Sequence, residues 1–253
     1  MNIVYLVFIN YCMKKIHFGV IKVKRWASNI AIALIILVIG GFAIFAGVNA
    51  IPVTAVSGVY YNGDTSSNKV TLMINVYWGT EYLDDMLQIL ENNNVKTTFF
   101  VGGTWAVLNE DYLTKIYEAG HELANHGYHH KDHDKLDEAG NLNEISTTHK
   151  IIKELLDVDM NLFAPPSGAY DKLTVSCAES LGYHTIMWTR DTIDWRDHDA
   201  NLIYQRAIKN AKGGDLILMH PTEATVQALP NIIDYFTENG FTLTTVSDNI
   251  GLV

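Results

Sequence analysis

The chain has little cysteine and little positive charge where they would matter most. Its two cysteines, Cys12 and Cys177, fall on opposite sides of a long apolar run and so do not pair within one chain. No disulfide framework is available, and stability must come from a hydrophobic core. Residues 1–50 contain no acidic residue, while five basic ones (Lys14, Lys15, Lys22, Lys24 and Arg25) cluster before position 26. Beyond residue 50 the balance reverses, with 13 Lys and Arg against 28 Asp and Glu, or −15. An acidic body excludes nucleic acid as a partner, because affinity for phosphate backbones comes mainly from Lys and Arg. Internal repeats and low-complexity tracts are also missing.

From Ala27 to Ala50 there is no ionisable side chain, and "IAIALIILVIGGFAIFAGV" is almost wholly apolar. A run of this length matches a helix that crosses a bilayer. Positive charge on its N-terminal side places that end in the cytoplasm and the body outside. The competing reading is a signal peptide cleaved near Val48 to Ala50, which leaves the body secreted. The expected organisation is therefore a basic cytoplasmic segment at 1–26, an anchor or signal at 27–50, a linker at 51–68 and a folded domain at 69–253. Met13, followed by two lysines, offers an alternative start.

The 253 residues, 48% of them hydrophobic, suffice for one large domain. In the body, short apolar runs alternate with amphipathic stretches. Strands are predicted at 70–76, 96–101, 122–125, 162–164, 184–188, 215–219 and 242–246. Helices are predicted at 80–93, 109–119, 143–156, 171–181, 199–211 and 225–239. Gly120, Gly182 and Gly240 follow three of the helices, as C-caps do. Seven strands alternating with helices imply an α/β fold on a parallel sheet, either closed as a barrel or open.

In a barrel, chemistry sits at the C-terminal ends of the strands. Those ends carry "NVYWG" (Asn75–Gly79), "NHGYHH" (Asn125–His130), "PPSG" (Pro165–Gly168), "RDTIDW" (Arg190–Trp195) and "MHP" (Met219–Pro221). His126 and His130 are four apart, so one helical turn would point both imidazoles at one metal ion. His129 and His133 offer competing pairs, and a solvated polar turn is the bland alternative. His220 ends an apolar run and can shuttle protons near neutrality, or simply be satisfied by a backbone carbonyl. Asp191 or Asp194 can orient such a histidine, unless Asp191 merely pairs with Arg190. Two prolines and a glycine around Ser167 make a rigid turn able to aim a backbone N–H at an oxyanion.

Taken in order, "LMINVYWG", "GHELANHGYHH", "FAPPSGAY", "WTRDTIDW" and "LILMHP" resemble the five motifs of the polysaccharide deacetylases, carbohydrate esterase family 4, or NodB-homology domain. The resemblance covers about residues 69–250. It implies a distorted (β/α) barrel and a hydrolase that removes N-acetyl groups from cell-wall glycans such as peptidoglycan or chitin-like chains. It also implies a divalent metal, most often zinc, held by an Asp and two His. His126 and His130 match the metal histidines, and His220 matches the general acid, tuned by Asp194. Ser167 matches the backbone oxyanion donor, while Trp195, Leu218 and Pro166 match the substrate groove. The family's base Asp, metal Asp and third-motif Arg correspond here to Asn75, Val76 and Ala164. An amide accepts no proton at neutral pH and a valine binds no metal. The resemblance therefore implies either weak or altered deacetylation, or a glycan-binding pseudoenzyme that keeps the groove. The "WG" ending and the "FAPPSG" form are similar to a sporulation-type, membrane-anchored subgroup.

Overall fold

A computed structural model describes Asn29, Ile30 and residues 58–253. Apart from Asn29 and Ile30, the expected anchor at 27–50 lies outside the described residues. Among the described residues, no helix is long and apolar enough to cross a membrane. The chain divides into two units after Thr54, and the folded domain belongs to the second.

The frame of this domain is a parallel sheet of nine strands: β1 (Val59–Tyr60), β2 (Lys69–Val76), β3 (Thr98–Val101), β4 (Glu122–Asn125), β5 (Leu162–Phe163), β6 (His184–Ile186), β7 (Arg190–Asp191), β8 (Leu216–Met219) and β9 (Thr242–Leu243). The spatial order is β1-β6-β5-β4-β3-β2-β8-β7, with β9 pairing with the start of β2. The sheet curves as a half-barrel whose edges are β1 and β7. The helices that connect or flank the strands are α1 (Leu83–Asn92), α2 (Gly103–Leu108), α3 (Glu110–Glu118), α4 (Glu138–Leu156), α5 (Lys172–Ser180), α6 (Ala200–Ile208), α7 (Glu223–Glu238) and α8 (Val246–Asn249).

Strand β2 shows why the sheet is buried on both faces. Val70, Leu72, Ile74 and Val76 pack into the large core between sheet and helices. Met73 faces the other way, into a smaller core with Phe100, Ala124, Leu162, Ala164, Ile186, Leu216 and Val246. A parallel sheet covered on both faces reads as near-continuous apolar runs, which is how β2 and β8 read. Helix starts are fixed by polar side chains. Asp171 and Thr174 form a reciprocal capping box on α5, and Asp199 caps α6 by accepting from the N–H groups of Asn201 and Leu202. At three helix ends Gly120, Gly182 and Gly240 adopt φ near +78, turning the chain into β4, β6 and β9.

Two strands exceed the seven expected. Val59–Tyr60, which falls in the linker expected at 51–68, pairs with Thr185–Ile186. Arg190–Asp191 pairs with Ile217–Leu218. Both are two residues long, too short to show a period of two. Helix α2 is likewise absent from the sequence-based expectation, because six residues reading "GTWAVL" show no amphipathic repeat.

Candidate active site

Register decides which side chains meet. Ile74 pairs with Met219, so the next residues, Asn75 and His220, emerge at the same level of adjacent strands. Val101 pairs with Asn125 and Asn125 with Phe163, which brings the loops after β4 and β5 together. A cavity of about 390 Å³ opens at these strand ends and is lined by Asn75, His126, His130, Ser167, Leu218 and His220. Trp195, half exposed, lines it from the loop after β7.

His126 is 1% exposed. Its Nδ1–H donates to the Ala164 carbonyl at 2.8 Å, which leaves Nε2 as the free ring nitrogen. Burial, and then the neighbouring His130, hold its imidazole well below the ordinary value. Burial lowers His130 to about 4. Both rings are neutral at pH 7, the form in which imidazole binds a metal. Their centroids lie 5.0 Å apart. The helical turn expected from their spacing is not what joins them: residues 126–130 form a loop in which Gly127 has φ +73 and His130 φ +55. Glycine is required at 127, since a Cβ there would also stand 3.3 Å from Pro166 Cγ and His133 Nε2.

Asp194 is fully buried and used at both oxygens. Oδ1 accepts from His220 Nδ1 at 2.8 Å, while Oδ2 accepts the His220 backbone N–H and the Thr225 hydroxyl, each at 2.6 Å. The carboxylate thus fixes the ring's tautomer and orientation and turns Nε2 outward from the pair. Of the two candidate carboxylates, Asp194 is the partner. Asp191 accepts the Ile193 N–H instead, and burial raises its carboxyl above the usual range. Arg190 pairs with Asp215 at 2.6 Å, so an Arg190–Asp191 pair does not form.

The positions that depart from the motif contribute little polarity. Val76 is fully buried in the helix-side core, and Ala164 offers only its carbonyl. Asn75 is 3% exposed, and its Oδ1 has no hydrogen-bond partner. Ser167 lines the cavity with φ +57. Pro166, expected in the groove, is buried against Gly127 and is not among the lining residues. His133 is buried beneath the same loop with Nδ1 2.7 Å from Asn141 Oδ1, and His129 touches the Thr104 hydroxyl at 3.3 Å.

The aromatic cover is not foreseen by sequence reasoning. Tyr77 stacks on His130 with centroids 3.4 Å apart, and Trp78 stacks on His220 at 5.1 Å. Trp188 also lines the cavity. The only signal in the sequence is "YW" directly after Asn75–Val76.

The donor set for a metal can be judged from these contacts. Among the described residues, no three His, Cys, Asp or Glu side chains converge as a metal site. Two imidazoles face the same cavity as an orphaned, buried amide oxygen at Asn75. These residues fit a divalent ion held by neutral donors only, without the carboxylate that would strengthen the site.

The chain also has relatives among known proteins. Residues 62–186 match the polysaccharide deacetylase family. The uncharacterized protein YlxY of Bacillus subtilis is 37% identical over 188 residues, covering 74% of this chain and 59% of YlxY. Peptidoglycan-N-acetylglucosamine deacetylase PgdA of Listeria monocytogenes is 28% identical over 167 residues, covering 66% of this chain and 35% of that enzyme. The chain thus spans less than two thirds of both relatives. Among solved structures, BA3943, a CE4 family pseudoenzyme from Bacillus anthracis, superposes with a TM-score of 0.74 at 34% identity, over 76% of this chain and 68% of BA3943. A mutant of BA3943 with restored enzymatic activity aligns equally well, at TM-score 0.74 and 32% identity, over 76% and 71% of the two chains.

Proposed function

Since the chain belongs to the polysaccharide deacetylase family, carbohydrate esterase family 4, we propose that its cavity binds an N-acetylated cell-wall glycan and hydrolyses the acetamide slowly, from the acid side of the site. The observation that carries this reading is the complete Asp194–His220 pair beside an amide at position 75. Asp194 holds His220 by Nδ1, so that Nε2, once it has taken a proton from the attacking water, can pass that proton to the departing amine nitrogen. Asn75 cannot take a proton from water, and a positioned base contributes roughly 10²–10⁴-fold. Trp195 and Leu218 would flank the sugar and its acetyl group, and the backbone N–H of Ser167 would meet the developing oxyanion. A divalent ion, zinc in the first instance, would be held by His126, His130 and the Asn75 amide oxygen, and when bound it acidifies a water molecule.

A second reading, a glycan-binding pseudoenzyme, is favoured by the neutrality of Asn75, Val76 and Ala164 together. An Arg at 164 without its carboxylate partner would be a buried, uncompensated charge, so the joint loss is electrostatically coherent. The acid-free, basic N-terminal segment and the 24 non-ionisable residues at 27–50 support attachment to the membrane with the domain outside the cytoplasm.

One assay separates the two readings. The purified chain is incubated with zinc and N-acetylglucosamine oligomers, and bound oligomer and released acetate are both measured. Slow acetate release that His220→Ala abolishes supports deacetylation. Binding that survives His220→Ala, with no acetate from either form, supports the pseudoenzyme.

A further inference from the structure

The hydrolytic reading gives the buried carboxylate of Glu144 no task. Glu144, on α4, is 1% exposed. Its Oε2 accepts two successive backbone N–H groups from the histidine loop, Tyr128 at 2.9 Å and His129 at 2.7 Å. Consecutive N–H groups converging on one anion form a nest, and bonds to a carboxylate are among the stronger ones. Lys131 approaches Oε1 at 3.3 Å from the surface, with its own side chain half exposed.

The opposite wall of the same loop is equally constrained. The Asn141 side-chain amide donates to the carbonyls of His133, Leu136 and Asp137, so its oxygen is the atom facing His133 Nδ1. His133 therefore donates from Nδ1, and its Nε2 carries a lone pair. Gly127 runs through the gap between these walls: a Cβ there would stand 3.3 Å from His133 Nε2 and 3.5 Å from Glu144 Oε2. Two further bonds fix the loop's carbonyls, from Gly103 N–H to Gly127 O at 2.9 Å and from Thr104 N–H to Tyr128 O at 3.0 Å. His130, a non-glycine residue at φ +55, holds a conformation that survives only where its surroundings over-determine it. The residues doing so lie immediately before it, and their N–H groups end on Glu144.

We propose that Glu144 is a positioning residue for the His126–His130 pair, its carboxylate holding the connecting loop in the conformation that turns both imidazoles into the cavity. The proposal rests on the reading of that pair as the metal-binding side of the site. Its test uses the purified full chain with Glu144→Ala and Glu144→Gln, because the glutamine oxygen can still accept both N–H groups. Two quantities are read: zinc affinity by calorimetry, and the imidazole resonances of all histidines by NMR.

Glu144→Ala should weaken zinc uptake by about 10–100-fold, as loss of an outer-sphere partner does. It should also split or broaden the His126 and His130 resonances while leaving His121 and His220 in place. Glu144→Gln should recover most of both. The proposal is overturned if Glu144→Ala changes neither quantity, or if every histidine shifts together with a loss of the folded state. Should the unmodified chain bind no zinc while the His126 and His130 resonances alone respond to Glu144→Ala, the metal reading fails and the positioning role stands.

Discussion

At the scale of single residues, the proposed hydrolysis turns on Asn75. It sits in register beside His220 and lines the same cavity. Its side chain is a neutral amide with an unpartnered oxygen. Substituting Asn75→Asp keeps the shape and supplies a proton acceptor. Acetate release from N-acetylglucosamine oligomers should then rise by about 10²–10⁴ in kcat, with KM changing much less. A kcat equal to that of the unmodified chain would show that the absent base does not limit the reaction. At this scale the sequence is informative where chemistry follows from residue type and place. His126, His130, His220 and Asp194 are identifiable from strand-end positions and motif, and the structure brings all of them to one cavity or its wall. Tyr77 and Trp78 escape because a stack on His130 or His220 joins residues about 50 to 140 positions apart, which no local pattern encodes.

Elements explain both the accuracy of the sequence reading and its failures. Strands β2 and β8 are legible because buried parallel strands read as near-continuous apolar runs, and α4–α7 because they carry caps and amphipathic repeats. Spacing alone predicts a helical turn for the His126–His130 segment; left-handed conformations at Gly127 and His130 make it a loop. At the opposite end of β4, His121 makes element stability depend on pH. It is 5% exposed, and its Nδ1 accepts the Thr97 N–H at 3.3 Å. Burial, assisted by Lys96, lowers its imidazole to about 4. Unfolded, the same ring titrates near 6.5, so between about pH 6.5 and 4 the unfolded chain binds the extra proton and stability falls as pH falls. Below about 4 the contribution is gone, and above 6.5 it is constant. One such group accounts for at most about 3.5 kcal/mol, at roughly 1.4 kcal/mol per unit. Urea denaturation at pH 7.0, 5.5 and 4.5 should show a shallower acid dependence for His121→Leu than for the unmodified chain. Parallel slopes would mean that His121 is protonated in the folded state.

The molecule as a whole is an acidic body whose cavity is poor in free carboxylates, and this contrast bears on whether it holds a metal. The body carries −15 beyond residue 50, yet beside its imidazoles and the Asn75 amide the cavity wall presents a single carboxylate, Asp191, whose Oδ1 already accepts the Ile193 N–H. Long-range attraction raises the local concentration of cations without supplying ligands. Converting Asn75→Asp, Val76→Asp and Ala164→Arg together would return the family's motif residues to all three positions, although the side chain at 76 starts from the helix-side core and not from the cavity. Val76 and Ala164 are both fully buried, so the triple variant introduces two ionic groups into dry surroundings. Without metal it should melt below the unmodified chain, since an uncompensated buried charge is costly. With zinc at about 100 times its dissociation constant, mass action returns about 2.7 kcal/mol, or about 5–10 °C for a domain of this size. The unmodified chain, whose donors are all neutral, should gain much less at the same zinc concentration. Paired thermal melts with and without zinc decide the matter. Equal shifts for both proteins would mean that the histidine pair alone governs metal binding, and that the changes at 75 and 76 altered the chemistry without altering the site's hold on its ion.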